Sequence, residues 1–343
     1  LRPECRCKIL FMKIAIVKLS ALGDIVHAMI VLQFIKKYNQ EIEIDWVVDE
    51  RYKELLEFHP DINKLHVINI KKAKKRKSFV LLLKELSKVR NFGPYDLVID
   101  MQGLIKSALI SRLIPSPITL GFDQNSIRER VASIFYNRTF NYGYDKNVIN
   151  RNFELIKFAL DLPFNIKEIH NKLPFLFQSH GNLIPNFSSI KKNIILVPGA
   201  SNSSKCYPIE NFAKFVDLLD ANYHVIWGND EEKLLAKKIK KLAPHVNICE
   251  KLSIGALISL ISQANLVLGS DTGPTHIGWA LNIPSITLFG PTPGYRNTYI
   301  TKINRIIESD SIVNPFKLDK NDNSIKDIEV QKILKASKEL LHQ

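Results

Sequence analysis

Short apolar runs, each followed by a turn and a stretch with helical spacing, organise the first half of this chain. Met12 to Val17 is largely apolar, Leu22-Gly23-Asp24 marks a turn, and Ile25, Met29, Leu32 and Ile35 then recur on one helix face. Ile42 to Val48 predicts a second strand, Leu65 to Ile70 a third, and Phe79 to Val89 a helix. Asp96 to Asp100 reads as a buried strand, and Leu104 to Leu113 as the helix that follows Gly103. Strands alternating with helices predict a parallel sheet covered on both faces.

Between Leu162 and Lys192 the periodicity gives way to Pro163, Pro174, Gly181 and Pro185, which marks a linker. The scheme restarts at Asn193 to Val197, followed by a loop to Pro208 and a helix from Ile209 to Leu219. His224 to Trp227 predicts a strand, Glu231 to Leu242 and Ile254 to Gln263 helices, and Leu266 to Leu268 a strand. A helix from Thr275 to Leu281 and a strand from Ser285 to Phe289 come next, and Ser324 to Leu341 reads as a closing amphipathic helix capped by Ser324 or Asp327. The expected organisation is a domain at 12–165, a second at 190–325, a closing helix at 326–343, and an extension at 1–11 of uncertain status before Met12. The expected fold class is α/β, with two Rossmann-like doubly wound domains facing a central cleft. Such sheets hold ligands at the carboxyl ends of their strands.

Composition supports two cores, since 343 residues with 45% hydrophobic content match two domains of about 150 residues. No apolar run approaches the roughly 18 residues of a membrane span, and residues 1–11 carry charges where a secretory signal would be apolar. A cytoplasmic protein is the expectation. Cys5, Cys7, Cys206 and Cys249 lack zinc-site spacing and read as free thiols. The net charge of +14 favours an anionic partner. Lys71 to Lys77 concentrates part of it, either as a solvated loop or as an anion site, and no aromatic-rich nucleic-acid signature surrounds it.

Neither the dinucleotide glycine fingerprint nor the Walker phosphate loop occurs, which argues against a nucleotide-sugar epimerase or dehydrogenase and against a nucleoside triphosphatase. A basic nucleic-acid-binding or scaffold protein is the non-catalytic alternative. Gly269-Ser-Asp271-Thr272-Gly273-Pro274-Thr275-His276 joins a strand to a helix, so free N–H groups and the positive helix end suit a diphosphate. Asp271 can accept from sugar hydroxyls, and His276 can reach a phosphate or sugar oxygen; a simple helix cap by Asp271 or Thr272 is the alternative. Lys205, in the loop Pro198 to Pro208, can neutralise a leaving diphosphate or be solvated. Asp24 is a general base or a helix cap, and Asp100-Met101-Gln102-Gly103 carries the same ambiguity.

Together these loops resemble the ADP-heptose:lipopolysaccharide heptosyltransferase family, of GT-B fold. The resemblance lies in Lys18 to Ala28, Asp100 to Ala108, Arg128-Glu129 with Ala132 to Asn137, and Asp271 to His276 with Gly290-Pro-Thr292. It spans Met12 to about Asn297, and its first and third blocks are nearer to heptosyltransferase I than to heptosyltransferase II. The resemblance implies an inverting transfer of L-glycero-D-manno-heptose from ADP-heptose to Kdo of Kdo-lipid A, at the cytoplasmic face of an anionic inner membrane, without nucleic acid. It implies Asp24 as base and a donor site of Ser201, Lys205, Glu231 or Glu232, Asp271, Thr272, Gly273, Pro274 and His276. Lys18, Gln102 and Arg128 fall on the acceptor side. With no Asp-x-Asp pair at a strand end, neither a metal nor another cofactor is expected. The chain departs from the family pattern at Ala200 and Ser201, where two threonines are common, and at Tyr207, where a tryptophan is common.

Overall fold

A computed structural model describes residues 11–70, 72, 76, 78–178 and 187–342. Cys5, Cys7 and residues 1–10 of the extension lie outside the described residues, as do Lys71, Ala73, Lys74, Lys75 and Lys77 of the basic run and Gly181 and Pro185 of the linker. The chain divides into two compact units after Phe177.

In unit 1 the strands β1 (Lys13–Val17), β2 (Glu43–Asp49), β3 (Lys64–Ile68), β4 (Leu97–Asp100), β5 (Ile118–Phe122) and β6 (Arg138–Phe140) form one sheet in the order β3-β2-β1-β4-β5-β6. Every pairing is parallel, which fits the near-continuous burial of β1, β2 and β4 between two helix layers. The helices are α1 (Leu22–Tyr38), α2 (Phe79–Arg90), α3 (Ile105–Leu113) and α4 (Val148–Leu160). Helix α1 is apolar around most of its circumference from Ile25 to Ile35 because α4 packs on the side away from the sheet.

Unit 2 repeats the scheme with β7 (Asn193–Val197), β8 (Asn222–Val225), β9 (Asn247–Ile248), β10 (Leu266–Ser270), β11 (Ser285–Phe289) and β12 (Asn304–Glu308), ordered β12-β11-β10-β7-β8-β9 and parallel throughout. Its helices are α5 (Ile209–Leu218), α6 (Asp230–Leu242), α7 (Ile254–Ser262), α8 (Gly273–Ala280), α9 (Gly294–Asn297) and α10 (Val330–Leu341). In both units the strand order reverses direction at the first strand, between β1 and β4 and between β7 and β10. Each switch point opens a crevice at the carboxyl ends of its own strands.

Several boundaries differ from the sequence expectation. Helix α1 starts at Leu22, so Gly23 and Asp24 lie inside its first turn, and α8 starts at Gly273 rather than Thr275. Strand β8 runs from Asn222 to Val225, two residues earlier than expected at each end, and Trp227 beyond it donates its indole N–H to the Cys249 carbonyl at 2.7 Å. The closing segment is a short turn, Ser324–Asp327, then α10 after Glu329, not one helix. Ile325 and Ile328 are inserted into the unit 2 core, and the buried Tyr207 hydroxyl donates to the Ile328 carbonyl at 2.7 Å. With Ile333 and Leu340 also in that core, the closing helix is part of unit 2. Among the described residues, no helix is long and apolar enough to cross a membrane.

Candidate active site

At the unit 1 switch point, the loop Lys18 to Ala21 leaves β1 and feeds α1. Asp24 is exposed in the first helical turn, where its Oδ2 accepts from the Ala21 N–H at 3.1 Å. The neighbouring strand end holds this loop in place. Gln102 accepts from the Leu19 N–H through Oε1 at 2.8 Å and donates from Nε2 to the Ser20 hydroxyl at 3.2 Å. The buried Lys18 ammonium donates to the Met101 carbonyl at 2.9 Å. Lys18 and Gln102, expected on the acceptor side, thus tie the ends of β1 and β4 together.

Beneath them, Asp100 is fully buried and accepts four hydrogen bonds. Oδ1 takes the N–H groups of Gln102 (2.8 Å) and Gly103 (3.2 Å); Oδ2 takes the hydroxyls of Ser107 (2.8 Å) and Tyr136 (2.7 Å). Burial pushes the carboxyl pKa up against the opposing effect of these bonds. Gly103 permits the turn, with φ of +68° and a position where a Cβ would come within 2.7 Å of the Ile127 side chain. Asp100 therefore acts as a post that holds the loop after β4. Arg128 is exposed, 3.9 Å from Glu129, whose Oε2 accepts from the Ile105 N–H at 2.8 Å.

At the unit 2 switch point, side chains converge on Asp271. Its Oδ2 accepts from Lys205 Nζ at 2.7 Å, from the Thr292 hydroxyl at 3.2 Å and from Asn297 Nδ2 at 3.2 Å, while Oδ1 meets His276 Nε2 at 3.1 Å. Burial acts to raise the Asp271 pKa, but the Lys205 charge and the His276 contact outweigh it and hold the carboxyl far below the usual range. Lys205 and His276 thus meet the carboxylate directly. An ammonium has three donors, and the Asp271 contact uses one of those on Lys205.

Thr272 precedes α8 without a side-chain cap bond, so its side chain takes none of the first N–H groups of the helix, while Pro274 itself offers none. Ser201 is exposed in the loop after β7. Of the two glutamates, Glu231 is exposed, whereas Glu232 Oε2 accepts from the Gly228 N–H at 2.7 Å and packs against Gly199. A Cβ on Gly199 would come within 2.3 Å of Glu232 Cγ, so glycine is required for this approach. Geometry therefore singles out Glu232 as the glutamate joining the loops after β7 and β8. Among the described residues, no group of three His, Cys, Asp or Glu is placed to hold a metal ion.

The sequence reading gave no role to Thr292 or Asn297. Thr292 lies in the loop after β11, where the rule that directed attention to the other strand ends applies equally, and Asn297 is the last residue of α9.

The sequence model of glycosyltransferase family 9 (heptosyltransferase) matches residues 83–323. This chain belongs to that family. As a family 9 glycosyltransferase, it is 40% identical over 348 residues to lipopolysaccharide heptosyltransferase 1 of Campylobacter coli, covering 96% of this chain and 99% of that protein. Lipopolysaccharide heptosyltransferase 1 of Escherichia coli strain K12 is 28% identical over 84% of this chain and 91% of its own length. Among solved structures, E. coli heptosyltransferase WaaC with ADP superposes with a TM-score of 0.78 at 23% identity, covering 96% of this chain and 100% of that one. E. coli ADP-heptose lps heptosyltransferase II gives 0.72 at 18% identity, over 97% and 99%. These likenesses place the family 9 chain in the GT-B fold with two Rossmann-like units.

Proposed function

We propose that this glycosyltransferase transfers L-glycero-D-manno-heptose from ADP-heptose to Kdo of Kdo-lipid A, the heptosyltransferase I reaction of lipopolysaccharide inner-core synthesis. The observation that carries this reading is the 40% identity to a lipopolysaccharide heptosyltransferase 1 over nearly the full length of both chains.

In this reading unit 2 holds the donor. The first turn of α8, at Thr272 and Gly273, and Lys205 receive the diphosphate, Ser201 borders it, and Glu232 meets the ribose. Asp271 keeps Lys205 and His276 in position beside the donor sugar. Unit 1 supplies the base. As the acceptor oxygen bonds to the anomeric carbon, the bond from that carbon to the β-phosphate oxygen breaks and its electron pair leaves with ADP. Asp24 takes the acceptor proton, while Lys205 and the helix end stabilise the charge growing on ADP. Arg128 and the basic residues after β3 attract acceptor phosphates.

The reaction needs no metal in this account, so a chelator should leave turnover unchanged. The enzyme works in the cytoplasm, held peripherally at the anionic inner membrane, and moderate salt should weaken that association. The test of the function is incubation with ADP-heptose and Kdo-lipid A followed by mass spectrometry. A gain of one heptose on the acceptor supports it; release of ADP with an unchanged acceptor mass contradicts it.

A further inference from the structure

Helix α2 carries an apolar face that no described residue of unit 1 covers. Its hydroxyl cap, Ser78, accepts from the Leu81 N–H at 3.3 Å, and the inner side is anchored by buried Val89 and by Glu85, which accepts from the Asn69 N–H at 3.0 Å. That anchoring turns Phe79, Val80 and Leu83 outward, 70%, 75% and 49% exposed. Large apolar side chains at i, i+1 and i+4 form one contiguous patch on a helix surface.

The surroundings are cationic. Lys72, Arg76, Lys84, Lys88 and Arg90 are all exposed, and the one acid of the helix, Glu85, is engaged with Asn69. The sequence of residues 71–90 holds nine Lys and Arg and no acid besides Glu85. Because α2 follows β3, its first turn lies on the carboxyl-end rim of the sheet that also carries Asp24 after β1.

We infer that the first turn of α2 is a membrane-docking element. Phe79, Val80 and Leu83 enter the interface of an anionic bilayer while the flanking cations meet its phosphates. This rests on the peripheral-association reading above and names the element responsible. A nucleic acid would satisfy the cations but give no reason to expose three aliphatic and aromatic side chains on one turn. A second copy of the chain would need about 800 Å² on each partner, more than one helical turn provides. An anionic lipid interface satisfies both the charge and the apolar face. Docking there sets the acceptor-side rim of unit 1 against the surface in which a lipid-borne acceptor resides.

The test uses the full chain with vesicles of phosphatidylcholine alone and of phosphatidylcholine with phosphatidylglycerol, at low and moderate salt. The triple variant Phe79→Ser, Val80→Ser, Leu83→Ser should unfold at the wild-type temperature and bind ADP normally. It should bind the anionic vesicles at least about tenfold more weakly than wild type, and moderate salt should remove the remainder. In Phe79→Trp, indole emission should shift to the blue on anionic vesicles and be quenched by lipids brominated on the acyl chain.

Equal vesicle binding by wild type and the triple variant, or an unshifted indole emission from the Phe79→Trp variant, would overturn the docking element while leaving peripheral association intact. Failure of the wild type to bind anionic vesicles would overturn both. A change of oligomeric state in the triple variant with unaltered vesicle binding would assign the face to a copy of the chain and overturn the inference.

Discussion

Lys205 Nζ lies 2.7 Å from Asp271 Oδ2, an ion pair linking the loop after β7 to the loop after β10 at the switch point of unit 2. Both side chains are about nine-tenths buried. Replacing one partner leaves the other charge buried and unpaired. Asp271→Asn should therefore destabilise the protein by about 3–5 kcal/mol and lower kcat/KM for the donor. Lys205→Met should do the same, and the double variant should lose less stability than the two single losses added together. Strict additivity in urea unfolding would show that the two side chains are not coupled.

The pH dependence follows from the depressed Asp271 pKa. A carboxyl whose folded pKa lies below its unfolded value of about 3.9 contributes stability above that value and loses it as pH falls through the folded pKa. The contribution should thus persist through mildly acidic solution. The stability difference between wild type and Asp271→Asn should stay constant from neutral pH down to about pH 5 and shrink below about pH 4. Urea titrations across that range check it, and a difference that widens on acidification would refute the assignment.

Asp24→Asn keeps the shape of the first turn of α1 and removes the base. Turnover should fall by on the order of 10²–10⁴-fold, with ADP binding and thermal unfolding near wild type. Steady-state kinetics beside ADP calorimetry separates the two effects; turnover within about twofold of wild type would remove Asp24 from the chemistry.

Glu232 and Gly199 should act together. Glu232→Gln should weaken ADP binding roughly tenfold, and Gly199→Ala should do at least as much by displacing that side chain, while Glu231→Gln should bind as wild type. Calorimetry of the three variants decides, and a loss confined to Glu231→Gln would reverse the choice.

Much of this was legible in the sequence. Strands such as Asn193–Val197 and helices such as Ile209–Leu218 were evident because their apolar periodicity is uninterrupted, and the strand-to-helix loops directed attention to Asp24, Lys205 and Asp271. Strand β6 escaped because its middle residue is exposed and its three residues are not apolar as a run, and β5, β9, β12 and α4 were not read from the sequence either. Pairing between distant loops was illegible for a different reason. Nothing in spacing alone reveals that Lys205 and Asp271 contact each other, that Gln102 is bonded to Leu19 and Ser20, or that Glu232 packs on Gly199. Those relations arise from the order of strands in each sheet, which places sequence-distant ends side by side.

Burial pushes the Lys172 ammonium down to about 7, with its Nζ 5.5 Å from the Phe175 ring centroid. The unfolded lysine titrates near about 10.4, so the unfolded chain binds more protons between those values and stability rises with pH through that window. Below it the penalty is constant. Any gain in stability of Lys172→Met over wild type should therefore shrink as pH rises from about 7 towards about 10. Urea midpoints at several pH values test this, and a gain that grows with pH would contradict it.

The central claim is best tested by giving the enzyme ADP-heptose and two acceptors in parallel, Kdo-lipid A and the same lipid already carrying one heptose, and comparing kcat/KM by mass spectrometry. The account predicts strong preference for the unmodified Kdo-lipid A, abolished in Asp24→Asn. Preference for the heptosylated acceptor, or no transfer to either, would contradict it.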